Sequence, residues 1–431
     1  MQKAGTFNFE AKAKPPIGSV LYDEHLKLTN KSHIAEFAGY LMPLWYSSIS
    51  AEHSAVRQRA GVFDCTHMGI LEVAGKKAEA FLNAITTNDV SKLQIGSAQY
   101  SYILDAAGNI LDDIIIYRRD VHKFMVVVNA ANEPKINAYL AVVDRYFTAE
   151  NAEKAPNFML GVLTPRMNLG AYRAVTIRDM RDIRAGQDCR VDIALQGPES
   201  ANVLGKIDRA IGKQAQNLKS FTLFETKLAG IDCIISTTGY TGAKISFELF
   251  VHPESAAKLW NLLIEAGAVP CGLGARDSLR VEAGLPLYGH ELDGPFNISP
   301  FEAGYGWAVK LNKEFFIGKQ IAEQQAKIYQ MKIARIELPG EKGVRPVRQN
   351  DGVIIDGKCV GWVLSSAGAG NRQIALVYVE KNKIVEGTFA GVYYLARSES
   401  QKSKGKKESV KCGEHLEPEI AGKVVSRFEK F

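Results

Sequence analysis

Two adjacent carboxylates, Asp112 and Asp113, interrupt an otherwise apolar run, Ile110-Leu111-Asp112-Asp113-Ile114-Ile115. An acid set beside isoleucine and leucine is costly to bury alone, so each must find a partner or meet a ligand. If the run is a strand, alternation sends the two side chains to opposite faces of the sheet. One carboxyl can then face a pocket while the other caps or forms an ion pair; a turn-closing aspartate is the rival reading. Glu248, between Phe247 and Leu249, is a second isolated acid. It can accept two parallel N–H bonds, from a pterin edge or from an internal guanidinium. Thr238-Gly239-Tyr240-Thr241-Gly242 sets an aromatic ring between two glycines, a loop able to approach a flat ligand closely or to serve as a plain turn. Arg276 and Arg280 stand at i, i+4 in a run that reads as a helix, so they share a face. The carboxylates opposite them belong either to the protein or to a ligand such as a glutamyl tail.

Other chemistries find little support. His67 and His290 have no nucleophile at a recognisable spacing and read as hydrogen-bonding histidines. The glycines before Arg276 form neither Gly-x-Gly-x-x-Gly nor a Gly-Lys-Ser/Thr loop, so no nucleotide signature is present. Six cysteines (Cys65, Cys189, Cys233, Cys271, Cys359, Cys412) are scattered with no zinc-holding spacing, which predicts no metal site and fits a reducing cytoplasm. The net charge of +6 owes part of its clustering to one tract, Lys402 to Lys407, read as a solvated loop. No nucleic-acid signature accompanies it. A modest positive face can instead attract an acidic substrate or an acidic partner protein. Hydrophobic residues at 46% and charged residues at 23% are those of an ordinary folded protein. Apolar runs such as Met125 to Val128 are far too short to span a bilayer, and the N-terminus carries no export pattern, so a soluble cytoplasmic protein is expected.

The elements that must position these residues follow from periodicity. Lys76 to Ala84 reads as an amphipathic helix. Ala98 to Leu104, the turn residues Asp105 to Asn109, and Ile110 to Tyr117 read as a hairpin, with Met125 to Val128 as a third strand and Glu133 to Val143 as a helix. A second block repeats this grammar, with strands at Asp192 to Leu195, Cys233 to Thr237 and Phe247 to Val251, and a helix from Ala256 to Glu265. Beyond about Ala326, short strands at Lys332 to Leu338, Gly352 to Ile355, Gly361 to Leu364 and Ile374 to Val379 indicate a small all-β domain. Residues 148–187 are read as a surface insertion.

In order along the chain, these segments resemble the glycine cleavage T-protein family, the aminomethyltransferases. The resemblance runs from Met42-Pro43 and Phe63-Asp64-Cys65-Thr66-His67-Met68 through Leu111-Asp112-Asp113, Ala194-Leu195-Gln196-Gly197-Pro198 and Thr238 to Gly242. It continues through Gly272 to Arg280, Gly306-Trp307 and Phe316-Ile317-Gly318-Lys319. It implies an α+β fold, a three-domain cloverleaf: two interleaved α+β domains over residues 1–325 and a C-terminal β-barrel-like domain over residues 326–431. It implies tetrahydrofolate in a central funnel as one-carbon acceptor, with Glu248 on the pterin and Met68, Tyr100, Tyr240, Arg276 and Trp307 around it. Asp112, the first of the pair, matches the catalytic acid. The implied partner is an H-protein whose aminomethyl-bearing lipoyl arm donates the carbon with release of ammonia.

Three departures bear on the donor and the site. Thr241-Gly242-Ala243-Lys244-Ile245-Ser246 replaces the family's Thr-Gly-Glu-x-Gly turn, residues 148–187 are longer than its connection, and Ser365 to Gly370 replaces its Ser-Gly-x-x-Ser-Pro-x-Leu segment. Two other readings on this fold are a folate-dependent demethylase of a small methylated compound and a non-catalytic folate-binding protein of iron–sulfur assembly. The latter is marked by a Lys-Gly-Cys-Tyr-x-Gly-Gln-Glu segment, whose cysteine Phe316-Ile317-Gly318-Lys319-Gln320 lacks.

Overall fold

Aromatic and β-branched residues between Ser97 and Val128 fold into an antiparallel meander in the computed structural model, which describes residues 5–11, 14–148, 175–429 and 431. Strand Ser97–Leu104 pairs with Ile110–Asp120, and the latter with Lys123–Val128. Gly108 turns the hairpin at φ +78°, a backbone conformation that favours glycine. Gly69–Ala74 and Thr176–Asp179 extend the sheet to five strands. Helix Ala78–Ile85 and helix Glu133–Thr148 cover one face, where Ile114, Ile116 and Val126 pack against Phe81, Ile85 and Ile136. Of the expected insertion, residues 149–174 lie outside the described residues. Its later part supplies the edge strand Thr176–Asp179, paired with Gly69–Ala74.

The second sheet has six strands in the order Leu223–Leu228, Ile231–Ser236, Ser246–Val251, Val191–Gln196, Gly61–Asp64 and Val269–Cys271. Gly61–Asp64 precedes every strand of the first sheet in the chain, so the two α+β units are interleaved. Val191, Ile193, Leu195 and Leu249 pack beneath helix Pro253–Glu265, against Leu259 and Trp260. The other faces of the two sheets meet each other: Ile70, Tyr117 and Met125 of the first pack on Ile234 and Phe250 of the second. Each such fully buried side chain contributes about 1.5–3 kcal/mol, so this contact holds the two walls in register.

The third unit is a closed barrel ordered Met331–Pro339, Arg372–Glu380, Lys358–Ala369, Gly352–Ile355, Phe389–Tyr393 and Ile420–Val425. Its last two strands were not read from the sequence. They close the barrel and leave no open edge. Segment Ser365 to Gly370 continues a strand past a bulge and turns into the hairpin with Arg372–Glu380. Glu282, on helix Leu273–Ala283, ties the units together. It is bonded to His53 at 2.9 Å, Arg57 at 2.8 Å and, from the barrel, Arg372 at 2.9 Å. Among the described residues no helix is long and apolar enough to cross a membrane.

Candidate functional site

Strand Ile110–Asp120 separates its two acids as alternation requires, but with the faces exchanged relative to the expectation. Asp113 lies opposite Tyr102, and Asp112 opposite Ile103. Asp113 therefore shares a face with Tyr100, Ile115 and Tyr117, the face turned toward the second sheet. Asp112 shares the face of Ile103, Ile114 and Ile116, the face covered by helices. It is fully buried and held by the Asn129 backbone N–H at 3.0 Å, Asn129 Nδ2 at 2.8 Å and Asn132 Nδ2 at 2.6 Å. The physical reason is a register shift beside Leu111, where Leu104 pairs with Ile110 and Ile103 with Asp112. The expectation that Asp112 faces the pocket is corrected: Asp113 does.

Asp113 is partly exposed and accepts from the Tyr100 hydroxyl at 2.9 Å and from Asn129 Nδ2 at 2.9 Å. One amide, Asn129, thus spans both acids. Burial pushes both carboxyls above the usual carboxylate range, and the Asp113 charge pushes Asp112 further. The Tyr100 and Asn129 donors act against burial at Asp113. Asp113 is accordingly the member that ionises more readily.

Glu248 faces Asp113's wall from the second sheet. It sits opposite Ala194 and Ser236 in the strand register, partly exposed. The Tyr117 hydroxyl donates to its Oε2 at 2.7 Å, and Thr238 Oγ1 donates to the same oxygen. Both donors engage Oε2, which leaves Oε1 without a hydrogen bond among the described residues. A carboxylate oriented on one oxygen and open on the other suits a ligand N–H edge.

The arginine pair divides. Arg280 is almost wholly buried and paired with Glu291 at 2.8 Å and Asp277 at 2.9 Å, the internal answer left open by its spacing. Arg276 makes no ion pair among the described residues, and its Nη1 is sealed without a hydrogen-bond partner. Desolvation pulls its pKa down, but Cys65, Glu248, Tyr240 and Asp192 together raise it, so it stays charged. Its guanidinium lies 5.2 Å from the Tyr240 ring centroid. Tyr240 is anchored by its hydroxyl to the Pro286 carbonyl at 2.5 Å. The altered turn after it is braced by the C-terminal segment: Lys244 N–H donates to Phe431 O at 2.7 Å, and Phe431 N–H to Gly242 O at 3.0 Å. Arg57 lies 3.8 Å over the Phe431 ring.

Aromatic rings line the approach. Tyr305 lies 5.0 Å from Tyr100 and 5.9 Å from Trp307. Trp307 is 54% exposed, so it stands at the rim rather than inside a closed pocket. Met68 bridges the two units, packed on the Tyr117 cluster and on the Phe63–Ala194 cluster. His67 is buried with Nδ1 unbonded, and burial takes it down to about 4, so it stays neutral. Ser19 and His25 both bond one oxygen of Asp64, at 2.6 and 2.7 Å, which is a structural knot and not a serine relay.

The structure therefore brings Asp113, Tyr100, Tyr240, Glu248, Arg276 and Met68 to the junction of the units, with Trp307 at its edge, and turns Asp112 away. Sequence reasoning missed Asn129, Asn132, Tyr117 and Thr238. The one signal for the asparagines was Asn129-Ala-Ala-Asn132 directly after the apolar run Phe124 to Val128.

The family model described as the GCVT N-terminal domain matches residues 21–313. An aminomethyltransferase of Exiguobacterium sibiricum is 37% identical over 359 residues, covering 83% of this chain and 88% of that protein. One of Thermus thermophilus is 39% identical over 375 residues, covering 86% and 92%. The crystal structure of glycine cleavage system aminomethyltransferase T from Bartonella henselae matches 96% of this chain and 99% of its own with a TM-score of 0.72 at 28% identity. With a family model over more than half the chain and relatives this similar over most of it, the chain belongs to the aminomethyltransferase family of glycine cleavage T-proteins.

Proposed function

We infer that this protein transfers the one-carbon unit of an aminomethyl group from the lipoyl arm of an H-protein to tetrahydrofolate, with release of ammonia. The observation that carries the reading is the facing pair of walls, Asp113 with Tyr100 on one sheet and Glu248 on the other, with Arg276 beside Glu248 from helix Leu273–Ala283, in a chain of this family. Fit with a folate is supported by the open Glu248 Oε1 and by the unpaired Arg276 beside Tyr240. Glu248 would hold the N–H edge of the pterin, Tyr240, Tyr100 and Met68 would flank the ring, and Trp307 would border the entrance. When bound, tetrahydrofolate supplies the nitrogens that accept the carbon.

Asp113 carries the chemistry assigned to this chain. Its carboxylate favours positive charge developing on the departing aminomethyl carbon. The same group orients the attacking amine and holds the proton it sheds. Asn129 fixes its rotamer from behind. Asp112 serves this arrangement indirectly, by clamping Asn129 and Asn132. We assign the folate-binding region to residues 1–325 and the barrel to residues 326–431, and take the cytoplasm as the compartment.

The test is incubation with tetrahydrofolate and aminomethylated lipoyl H-protein while ammonia and methylenetetrahydrofolate are followed. Formation of both is expected. Folate bound without turnover would overturn the donor, and no folate binding would overturn the site.

A further inference from the structure

Asp113 and Glu248 leave a third carboxyl near the same junction unused. In strand Val191–Gln196, Val191, Ile193 and Leu195 enter the apolar cluster behind the sheet, while Asp192 and Ala194 point the other way. Ala194 lies opposite Glu248 and Asp192 opposite Phe250, so Asp192 is one diagonal step from Glu248 on a common face. It is 1% exposed, and its Oδ1 is sealed without a hydrogen-bond partner. Arg276 Nη1 is in the same condition. The two side chains feel each other and Glu248: burial and then Glu248 raise Asp192 well above the carboxylate range, and Arg276 opposes them. A buried donor and a buried acceptor, each unpaired, both lower stability. Apolar residues would remove the fault, so its presence beside a binding wall points to a ligand that satisfies it.

Resting on the folate reading above, we propose that Asp192 is a specificity-determining residue of the pterin site, forming with Arg276 an acceptor and donor pair that reads the ring's lactam, one N–H beside one C=O. Glu248 then takes the adjoining amino edge. The pair rejects a ring whose carbonyl is replaced by an amino group, because that exchange puts donor against donor at Arg276 and removes the N–H that Asp192 accepts.

The experiment measures binding of tetrahydrofolate and of a 4-amino-4-deoxy analogue to the wild-type protein, Asp192→Leu and Asp192→Asn, with thermal melting alongside. Leucine has similar volume and no polar atom, so Asp192→Leu should melt no lower than wild type. It should bind tetrahydrofolate about tenfold more weakly, the weight of one hydrogen bond, and discriminate less against the amino analogue. Asp192→Asn, which keeps an acceptor, should restore part of both. Wild-type affinity and wild-type discrimination in Asp192→Leu would overturn the proposal while leaving the folate site standing. A wild-type protein that binds no folate would overturn both.

Discussion

Asp113→Asn removes one charge while keeping the shape of the side chain: its amide oxygen can still accept from Asn129 Nδ2, and its amide nitrogen can donate to the Tyr100 hydroxyl oxygen, 2.9 Å away. A carboxylate about 4 Å from a developing cation, at an effective dielectric of about 20, is worth about 4 kcal/mol, or roughly a thousandfold in rate. Folding should be little affected, because Asp113 is partly exposed and its partners can bond an amide. Asp112→Asn makes the contrast. Three donors converge on Asp112, at 3.0, 2.8 and 2.6 Å, and an asparagine must turn its own N–H groups toward one of them. That costs about 1–3 kcal/mol of stability but removes no charge from the binding face. The assay is single-turnover formation of methylenetetrahydrofolate at saturating folate, with thermal melting of each variant. Asp113→Asn should lose about three decades of rate at unchanged melting temperature, and Asp112→Asn should melt lower with its rate within a few-fold of wild type. The reverse pattern, rate collapse in folded Asp112→Asn with Asp113→Asn near wild type, would refute the assignment of faces.

Glu248→Ala should weaken folate binding by roughly one to two decades, the loss of charge-assisted hydrogen bonds, with a smaller effect on the rate at saturation; calorimetry showing unchanged affinity would remove Glu248 from the pterin. Tyr100→Phe deletes a donor that lowers the Asp113 pKa against burial. The pKa should rise further, so the acid limb of the kcat profile should move to higher pH, and an unmoved limb would count against a charged Asp113 in turnover. Glu282 is raised by burial but held down to about 2 by the hydrogen bonds and charges of His53 and Arg57. A depressed carboxylate contributes stability above its unfolded pKa, ordinarily 4.5, that is lost as pH falls toward 2. Denaturant titrations of Glu282→Gln should therefore show a smaller fall in stability than wild type across that window; equal slopes would mean that Glu282 does not link the units as described.

Much of the local architecture was readable because a strand or helix writes its pattern into neighbouring residues. The hairpin around Gly108, the helix of Ala256 to Glu265 and four of the barrel strands follow from periods of two and 3.6. Phe389–Tyr393 and Ile420–Val425 were missed because glycine and alanine dilute their alternation. Their pairing explains the small residues: a Cβ at Gly422 would meet the Glu337 carbonyl at 2.2 Å and one at Gly391 the Pro418 side chain at 2.3 Å, so close approach in the barrel replaced the local signal.

From the order of its motifs, the sequence by itself determined the family and the small set of polar residues from which a folate site would be drawn. It also determined that Asp112 and Asp113 point in opposite directions. Which one faces the junction was a tertiary outcome, decided by the register shift at Leu111 and by which face the helices cover. The same holds for the arginines, since Glu291, placed by the turn after helix Leu273–Ala283, satisfies Arg280 and leaves Arg276 unpaired. Alternation and helical spacing are local properties, whereas burial and partnership belong to whatever the rest of the chain packs on each face.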